Sequence, residues 1–507
     1  MGKEIKFNMS AFSETLSNLI KRNNISIYGL AKNIHCDRTG IQKVMSGERR
    51  MDWNTYNAVS RELEDKLSQP ELEDLYEKFV QDYYGEQEYQ KIMYIKKRLL
   101  ETRKLELYID KVADLGFDVT DYIEEFDIGK KEEASVRQIF QILEEEFQYA
   151  EKQGVSARLY TNIPSGWKQF WHLILILLNQ KQIKGQIDLK CIFGSVNLEK
   201  QIDYGNSGNR FDMDLVMIEN FITASEFAAY GYNTYEPGDQ ILKKNSEEVL
   251  FPYYIITNNV YVMVAYDGTI IIDNNSRERV NSIADKCRGM FDGKSEFLKV
   301  VNPDTYSSII LDRDFNQDGN VFDVVNRICV AAFYSKDILR KIVPENYPDR
   351  SFVIETVGMF YSSLIKQNIS MYFTIESVKH FMESEDSKKE GQYFNLQFTP
   401  EIKLEILNRL YEYFSKSENS RIRMLKDNIM SNELHIFGWD SKIICACQYL
   451  YYGNTPVDAM SFVYSPSVTG HFEKYNEYIL NSYMCLNQEK SLKVLRNLIN
   501  SYEDSVG

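Results

Sequence analysis

The sequence predicts an α+β multidomain fold, and three observations lead to this prediction. The first 66 residues contain short amphipathic stretches, each preceded by a residue type that commonly caps a helix, which indicates an all-α domain. Residues 71–115 are highly charged and helical in pattern. From residue 132 onward, helical and strand-like stretches alternate, which indicates a mixed α/β region. A chain of 507 residues has room for about three domains of ordinary size.

The N-terminal helices are predicted from their caps. Ser26, Asp37 and Asp52 each stand directly before an amphipathic stretch, and their side-chain oxygens can accept hydrogen bonds from the first free backbone N–H groups. Gly47 ends one of these helices. The predicted helices cover residues 10–23, 27–34, 38–46 and 53–63.

The rest of the chain divides into three further parts. We predict a helical connector over 67–131, an α/β effector or sensor domain over 132–395, and a C-terminal α/β module over 396–507. The connector, broken near Gly85, either dimerises or packs against its own chain. A hairpin followed by a helix is predicted twice, near residue 250 and near residue 435, which indicates a duplicated α/β module.

The charge is distributed unevenly along the chain. The net charge is −15, but residues 1–66 contain eleven Lys and Arg against eight Asp and Glu. An acidic protein with one mildly basic end would approach nucleic acid by that end. The longest apolar stretch, 173–178, is too short to span a bilayer, and residues 1–10 contain no hydrophobic segment. We therefore expect a cytoplasmic protein without membrane contact.

Residues 25–47 form the most informative stretch. Leu30, Ala31 and Val44 take inward positions of two short helices, and the small side chain of Ala31 allows these helices to cross closely. The turn between them falls at His35, a residue type that tolerates left-handed backbone better than bulky residues do. Four side chains of the second helix then point outward and suit the major groove of DNA: Arg38, Thr39, Gln42 and Lys43.

With these features, residues 10–65 resemble the lambda-repressor/Cro-like (XRE) helix-turn-helix family. The resemblance implies that Arg38, Thr39 and Gln42 contact bases, and that Arg49 and Arg50 contact the DNA backbone. Two positions depart from the family pattern: Ile27 replaces a phosphate-binding Gln, and His35 replaces a Gly. Ser26, Tyr28 or Lys32 is expected to take over the lost phosphate contact. The predicted DNA-binding residues are therefore Ser26, Tyr28, Lys32, Arg38, Thr39, Gln42, Lys43, Arg49 and Arg50.

The predicted function is a sequence-specific DNA-binding transcriptional regulator. Its expected partners are a double-stranded DNA operator and a second copy of the chain, with two recognition helices in successive major grooves. The large effector region is expected to sense a small molecule, a peptide or a partner protein, because DNA binding alone needs far fewer residues. No catalytic residue, cofactor or metal ligand is predicted.

Two alternatives remain open at this point, a protein-interaction scaffold and a nucleotidyltransferase-like enzyme with a DNA-binding N-terminus. The enzyme would need Ser195 in a Gly-Ser turn, and Asp212 and Asp214 as magnesium ligands on one face of a strand. Residues 314–325 also match the start of a calcium loop, but Val325 stands where the last carboxylate belongs. A polar turn is the simpler interpretation of that stretch.

The cysteines and histidines give no metal motif by spacing. Seven cysteines are scattered, and only Cys445 and Cys447 lie close together, two apart on a predicted strand and hence on one face. With only five histidines in the chain, reduced core thiols are the preferred interpretation over zinc. His172 follows Trp171 on an apolar helix and is predicted to be a packed residue rather than a catalytic base.

Overall fold

The computed structural model describes residues 9–181, 187–192, 213–230, 233–235, 251–265, 268–274, 276–291, 299–301, 320–347, 350–383, 398–439, 442–452 and 455–506. In these residues, helices surround two mixed β-sheets, which confirms the predicted α+β class. Over the same ranges, none of the helices combines the length and the apolar character that crossing a bilayer requires.

The N-terminal part of the described chain is helical. Its helices α1 to α8 cover Ala11–Arg22, Ile27–Asn33, Arg38–Met45, Trp53–Leu63, Gln69–Tyr84, Glu86–Leu115, Val119–Glu125 and Lys130–Gln153.

The predicted caps explain where the short helices begin. Ser26 Oγ accepts a hydrogen bond from the Gly29 N–H over 3.2 Å, and Asp52 Oδ1 accepts one from the Thr55 N–H over 2.9 Å. His35, between α2 and α3, has a φ of 54°, the left-handed conformation that the predicted turn requires. The short helices predicted from these residues are confirmed.

The first α/β module is built on a six-stranded sheet. Its strands β1 to β6 cover Ala157–Thr161, Ile187–Ile192, Asn233–Tyr235, Tyr253–Ile256, Tyr261–Val264 and Ile270–Asp273. Its helices α9 to α11 cover Lys168–Lys181, Met213–Glu226 and Arg277–Phe291, and a short 3-10 helix covers Ala228–Tyr230. The strand order is β3-β2-β1-β4-β5-β6; β1, β2 and β3 are parallel, and β4, β5 and β6 add antiparallel.

The second module is built on a seven-stranded sheet. Its strands β7 to β13 cover Lys299–Val301, Asn320–Val324, Asn368–Thr374, Arg421–Leu425, Leu434–Trp439, Ile443–Tyr452 and Thr455–Tyr464. Its helices α12 to α17 cover Lys336–Ile342, Arg350–Leu364, Ile375–Glu383, Pro400–Lys416, Pro466–Asn481 and Gln488–Val506, with a 3-10 helix over Ala331–Phe333. The strand order is β10-β9-β8-β11-β12-β13-β7.

The two modules share one topology. In each sheet, one strand (β1 or β8) has two strands in parallel arrangement on one side and three in antiparallel arrangement on the other, and apart from β7 the order along the chain is the same. Of the strands that the structure describes, β7, at the edge beside β13, is the one without a counterpart. The hairpins expected near residues 250 and 435 are β4–β5 and β11–β12. This shared order confirms the predicted duplication.

The N-terminal helices and the second module share a core. One buried apolar cluster runs from Phe12 in α1 through both modules to the residues after α16. At its surface, Asn57 Nδ2 donates to Asn481 Oδ1 over 3.1 Å, and inside it the Tyr76 hydroxyl donates to the Tyr478 carbonyl oxygen. The helices at the start of the chain are therefore packed against helix α16, near its end.

Candidate metal centre

The nine side chains predicted to contact DNA all lie at the surface. They are exposed on α2, on α3 and in the loop that follows α3, with Arg49 beside Gly40 of α3. Ser26 is occupied in part as the N-cap of α2. The contact of these residues with double-stranded DNA stays a prediction, as do pairing with a second copy of the chain and binding of an effector.

Of the residues of the nucleotidyltransferase alternative, the structure describes Asp214, which does not lie on the expected strand. Ser195 and Asp212 lie outside the described residues, and Asp214 is in the first turn of helix α10. Lys91 Nζ lies 2.6 Å from the Asp214 carboxylate. Burial would raise the pKa of Asp214, but hydrogen bonds from Lys91 and Ser467 lower it to about 2. Asp214 thus sits in a helix and is already bound by a cation of its own chain.

The calcium-loop pattern is interrupted by a strand. Residues 314–319 lie outside the described residues, while Asn320–Val324 form β8 in the middle of the second sheet. A strand cannot supply the tight loop that wraps a calcium ion. Asp323, within this strand, is buried and faces a different set of partners.

Those partners form the candidate site. Asp323 of β8, Cys329 after β8 and His435 of β11 place one oxygen, one sulfur and one nitrogen atom within 4.8 Å of one another. His435 Nε2 lies 3.0 Å from Asp323 Oδ1. Asp323 and His435 are only 6% and 7% exposed, so bulk water is largely excluded.

Strand register brings these residues together. β8 and β11 are antiparallel, and Asp323 is opposite Phe437. His435 is two residues from Phe437 and therefore on the same face of the sheet. The His435 and Phe437 rings are in contact, with centroids 5.2 Å apart. The site lies near the carboxyl end of β8, where open α/β sheets commonly bind ligands.

Asn326 positions the loop that carries Cys329. The Asn326 amide, 1% exposed, donates to the Met430 carbonyl and accepts from the Ile429 N–H over 2.9 Å. Its backbone oxygen accepts from the Thr374 N–H over 3.0 Å. Through its side chain and its backbone oxygen, Asn326 thus connects the segment after β8 with the end of β9 and with the segment after β10.

The site contains two neighbouring groups that can each lose a proton, the Cys329 thiol and the Asp323 carboxyl group. Burial raises the pKa of the Cys329 thiol well above its usual range, and the Asp323 carboxylate beside it acts in the same direction. Without a cation the sulfur therefore keeps its proton, which it can donate to Asp323. A divalent cation would favour the thiolate.

Cys447 lies next to this cluster. It is 4% exposed and stands directly opposite His435 in the β11–β12 pair. Its thiol also contributes to the raised pKa of Cys329. Cys445 and Cys447 are on one face of β12, as predicted, and both belong to the core of the second module. Asp, Cys, His and Cys are together a donor set that zinc accepts.

The sequence analysis missed this site because its residues lie on different elements. Asp323 and His435 are separated by 112 positions. One signal was available in the sequence. Cys445 and Cys447 follow shortly after His435, and their strand was predicted to form a hairpin with the strand that contains His435. Antiparallel pairing of that hairpin places a cysteine opposite the histidine.

Comparisons with known proteins give little further information. No protein-family model matches the chain, and no curated protein matches it. Among the solved structures, the chain is similar to a phosphatidylserine synthase from Haemophilus influenzae Rd KW20. That similarity has 11% sequence identity and a TM-score of 0.25, and it covers 73% of this chain and 92% of that one. A likeness of this strength transfers no activity.

The predicted function needs correction. The chain was expected to be a sequence-specific transcriptional regulator with a sensing region, but a solved structure found to be similar is a phosphatidylserine synthase and not a DNA-binding regulator. The expected mechanism also required N-terminal helices that shift relative to the effector region. Instead, Asn57 is hydrogen-bonded to Asn481, and a common apolar core lies beneath this contact. We therefore withdraw this function.

Proposed function

We propose that this chain is a metal-binding protein whose second module holds a zinc-class divalent ion. Asp323, Cys329 and His435 are the proposed ligands, and Cys447 lies next to them. The observation that carries this proposal is the convergence of the first three donor atoms within 4.8 Å at a buried place. Carboxylate oxygen, thiolate sulfur and imidazole nitrogen are the three ligand types of protein zinc sites.

The charge balance of the site favours a cation. A buried carboxylate beside a buried thiol is costly when both are ionised, because neither charge is solvated by water. A divalent ion would neutralise both groups at once, while His435 contributes a neutral nitrogen.

The surroundings suit a structural ion. Asn326 fixes the loop of Cys329, and Phe437 packs against the ring of His435. Such outer contacts orient metal ligands and strengthen binding. The ion would fasten the loop after β8 to β11.

The test is metal binding by the full-length chain purified without a histidine tag. We expect elemental analysis to find one zinc ion per chain, and Co²⁺ in its place to give the absorption bands of a tetrahedral thiolate site. Cys329→Ser and His435→Gln should weaken binding at least about a hundredfold, because even outer-shell changes cost about 10–100-fold. Cys287→Ser, which removes a buried thiol in the first module, is the matched control.

Two results would contradict the proposal. One is a wild-type chain that retains no zinc or Co²⁺ after dialysis. The other is equal metal affinity in the wild type, Cys329→Ser and His435→Gln, which would place any bound ion elsewhere.

We also propose the finer organisation of the N-terminal half: a helix-turn-helix unit of the XRE type in residues 1–66, followed by a helical connector over 67–131. The N-cap of Ser26 and the left-handed backbone of His35 support it. Buried Ala31 lies in α2, which packs against α3. This second proposal concerns the fold and includes no regulatory role.

A further inference from the structure

A polar cavity lies between the N-terminal helices and the second module. Its volume is about 170 Å³, and it is lined by residues of α4, α5, β10 and α17 and by the segments that follow β10 and α16. Among its lining residues, Arg61, Arg423, Lys426 and Lys490 are basic, and Glu64 is the single acidic residue.

The basic residues are not matched by carboxylates. The Glu64 carboxylate lies 2.9 Å from Lys490 Nζ and is therefore already paired with a lysine. Arg61 and Lys426 have no ion-pair partner within the described ranges. The cavity therefore has an excess of positive charge, to which Arg61 on α4 and Lys426 after β10 both contribute.

Arg423 is the most informative of these residues. It is 9% exposed, and its Nε donates to the Leu480 carbonyl over 3.1 Å. Its Nη1 donates to the Ile422 carbonyl over 3.0 Å and to the amide oxygen of Gln488. These acceptors are all neutral, so the guanidinium is buried and hydrogen-bonded but makes no ion pair with a described residue.

The neighbourhood of Arg423 is also positive. Burial lowers the pKa of Arg423 to about 10, and the charges of Arg421 and Arg61 act in the same direction, while Cys485 and Glu477 act in the opposite direction. The carboxylate of Glu477 accepts from Arg421 Nη1 over 2.9 Å and is held there. A buried arginine that shares the Glu477 carboxylate with Arg421 is costly in free energy, and an anion in the cavity would offset that cost.

We propose that this cavity binds the phosphate group of a small molecule between Arg61, Arg423 and Lys426. Guanidinium groups match phosphate oxygens in geometry as well as charge. Asn57, Asn487 and Ser60 line the same space and supply neutral hydrogen-bond donors. A bound phosphate would contact α4 and β10 together and so tie the N-terminal helices to the second module.

The experiment is calorimetric titration of the full chain with pyrophosphate, repeated with ADP and with sulfate. Arg61→Gln and Lys426→Gln change exposed side chains and leave the fold intact, and each should weaken pyrophosphate binding about tenfold or more. Lys416→Gln removes an exposed lysine far from the cavity and should leave affinity unchanged. A rise of the melting temperature with pyrophosphate, lost in the double variant, is the second measurement.

The relative affinities for pyrophosphate, ADP and sulfate identify what the cavity binds. Tighter binding of ADP than of pyrophosphate would identify a nucleotide as the source of the phosphate, and equal affinities would identify the phosphate group alone. The proposal is overturned if pyrophosphate does not bind, if sulfate binds as well as pyrophosphate, or if the double variant binds like the wild type.

Discussion

His172 is a buried titratable group in helix α9. It is 4% exposed, and its Nδ1 lies 3.1 Å from the Tyr122 hydroxyl, while its Nε2 has no hydrogen-bond partner among the described residues. Burial lowers its pKa well below the usual range, and the charges of Arg98 and Lys168 act in the same direction. The ring is therefore neutral in the folded chain, consistent with a packed residue.

This neutrality predicts a pH dependence of stability. The unfolded chain takes up a proton at His172 as the pH falls below about 6.5, but the folded chain does not, so acid favours unfolding. As the pH falls from 6.5 to 5, the free energy of unfolding should fall more steeply in the wild type than in His172→Phe, by a difference that approaches about 1.4 kcal/mol per pH unit near pH 5. Urea titrations at several pH values measure this difference.

The control for this prediction is His380→Gln, which changes an exposed histidine. Its pH profile should follow that of the wild type. A His172→Phe profile parallel to the wild type would show that His172 is protonated in the folded chain.

At the scale of elements, β8 and β11 approach closely at Gly438. Gly438 stands opposite Phe322, and a Cβ atom at position 438 would lie 2.4 Å from the Phe322 ring. A side chain there would push the ring out of the core, so glycine is required by the close approach of the strands. The same strand pair holds Asp323 beside His435.

Gly438→Ala is therefore expected to destabilise the fold by about 1–3 kcal/mol, the usual cost of overpacking a core. Phe322→Leu should recover part of this loss when it is combined with Gly438→Ala, because the two side chains compete for one space. Chemical denaturation measures both effects. Gly470→Ala, in α16 with open space around its Cα, should instead stabilise by about 0.5–1 kcal/mol.

Local elements could be predicted from the sequence, and the candidate site could not. The cap of α2 at Ser26 depends on a backbone N–H three residues away, so the sequence contains all of it. The pairing of Asp323 with His435 depends on the register of two strands 112 positions apart. The enzyme alternative placed Asp214 on a strand, but Asp214 lies in a helix. It contacts Lys91 and Ser467, which lie in two other helices far away in the sequence.

At the scale of the whole molecule, Tyr478 of α16 connects distant parts. It is fully buried, and its backbone oxygen accepts from the Tyr76 hydroxyl. Its own hydroxyl donates to Glu77 Oε1 and accepts from Lys96 Nζ, both over 2.7 Å. Helices α5 and α6 are thus fastened to the helix that covers the second sheet.

Tyr478→Ala should cost about 3–5 kcal/mol, as other large aromatic truncations in cores do. Because the core is shared, hydrogen exchange in α4 and in β11 should accelerate together. Tyr464→Ala, which removes a 60% exposed ring, is the control and should leave both rates unchanged. Acceleration confined to β11 would mean that the N-terminal helices are stable without the second module.

The common strand order also bears on the ancestry of the chain and on its redesign. Thr161 pairs with Ile255 in β1–β4 as Val324 pairs with Ile436 in β8–β11. When these two pairs are superposed, three residues of the first module occupy the positions of Asp323, His435 and Cys447 in the second. In the same order, these residues are Tyr160, Tyr254 and Met263. If one ancestral segment was copied in tandem, the copies have since diverged, and within the described ranges the cluster of donor atoms lies in the second copy. The other offers an engineer an equivalent scaffold on which the same donors could be grafted.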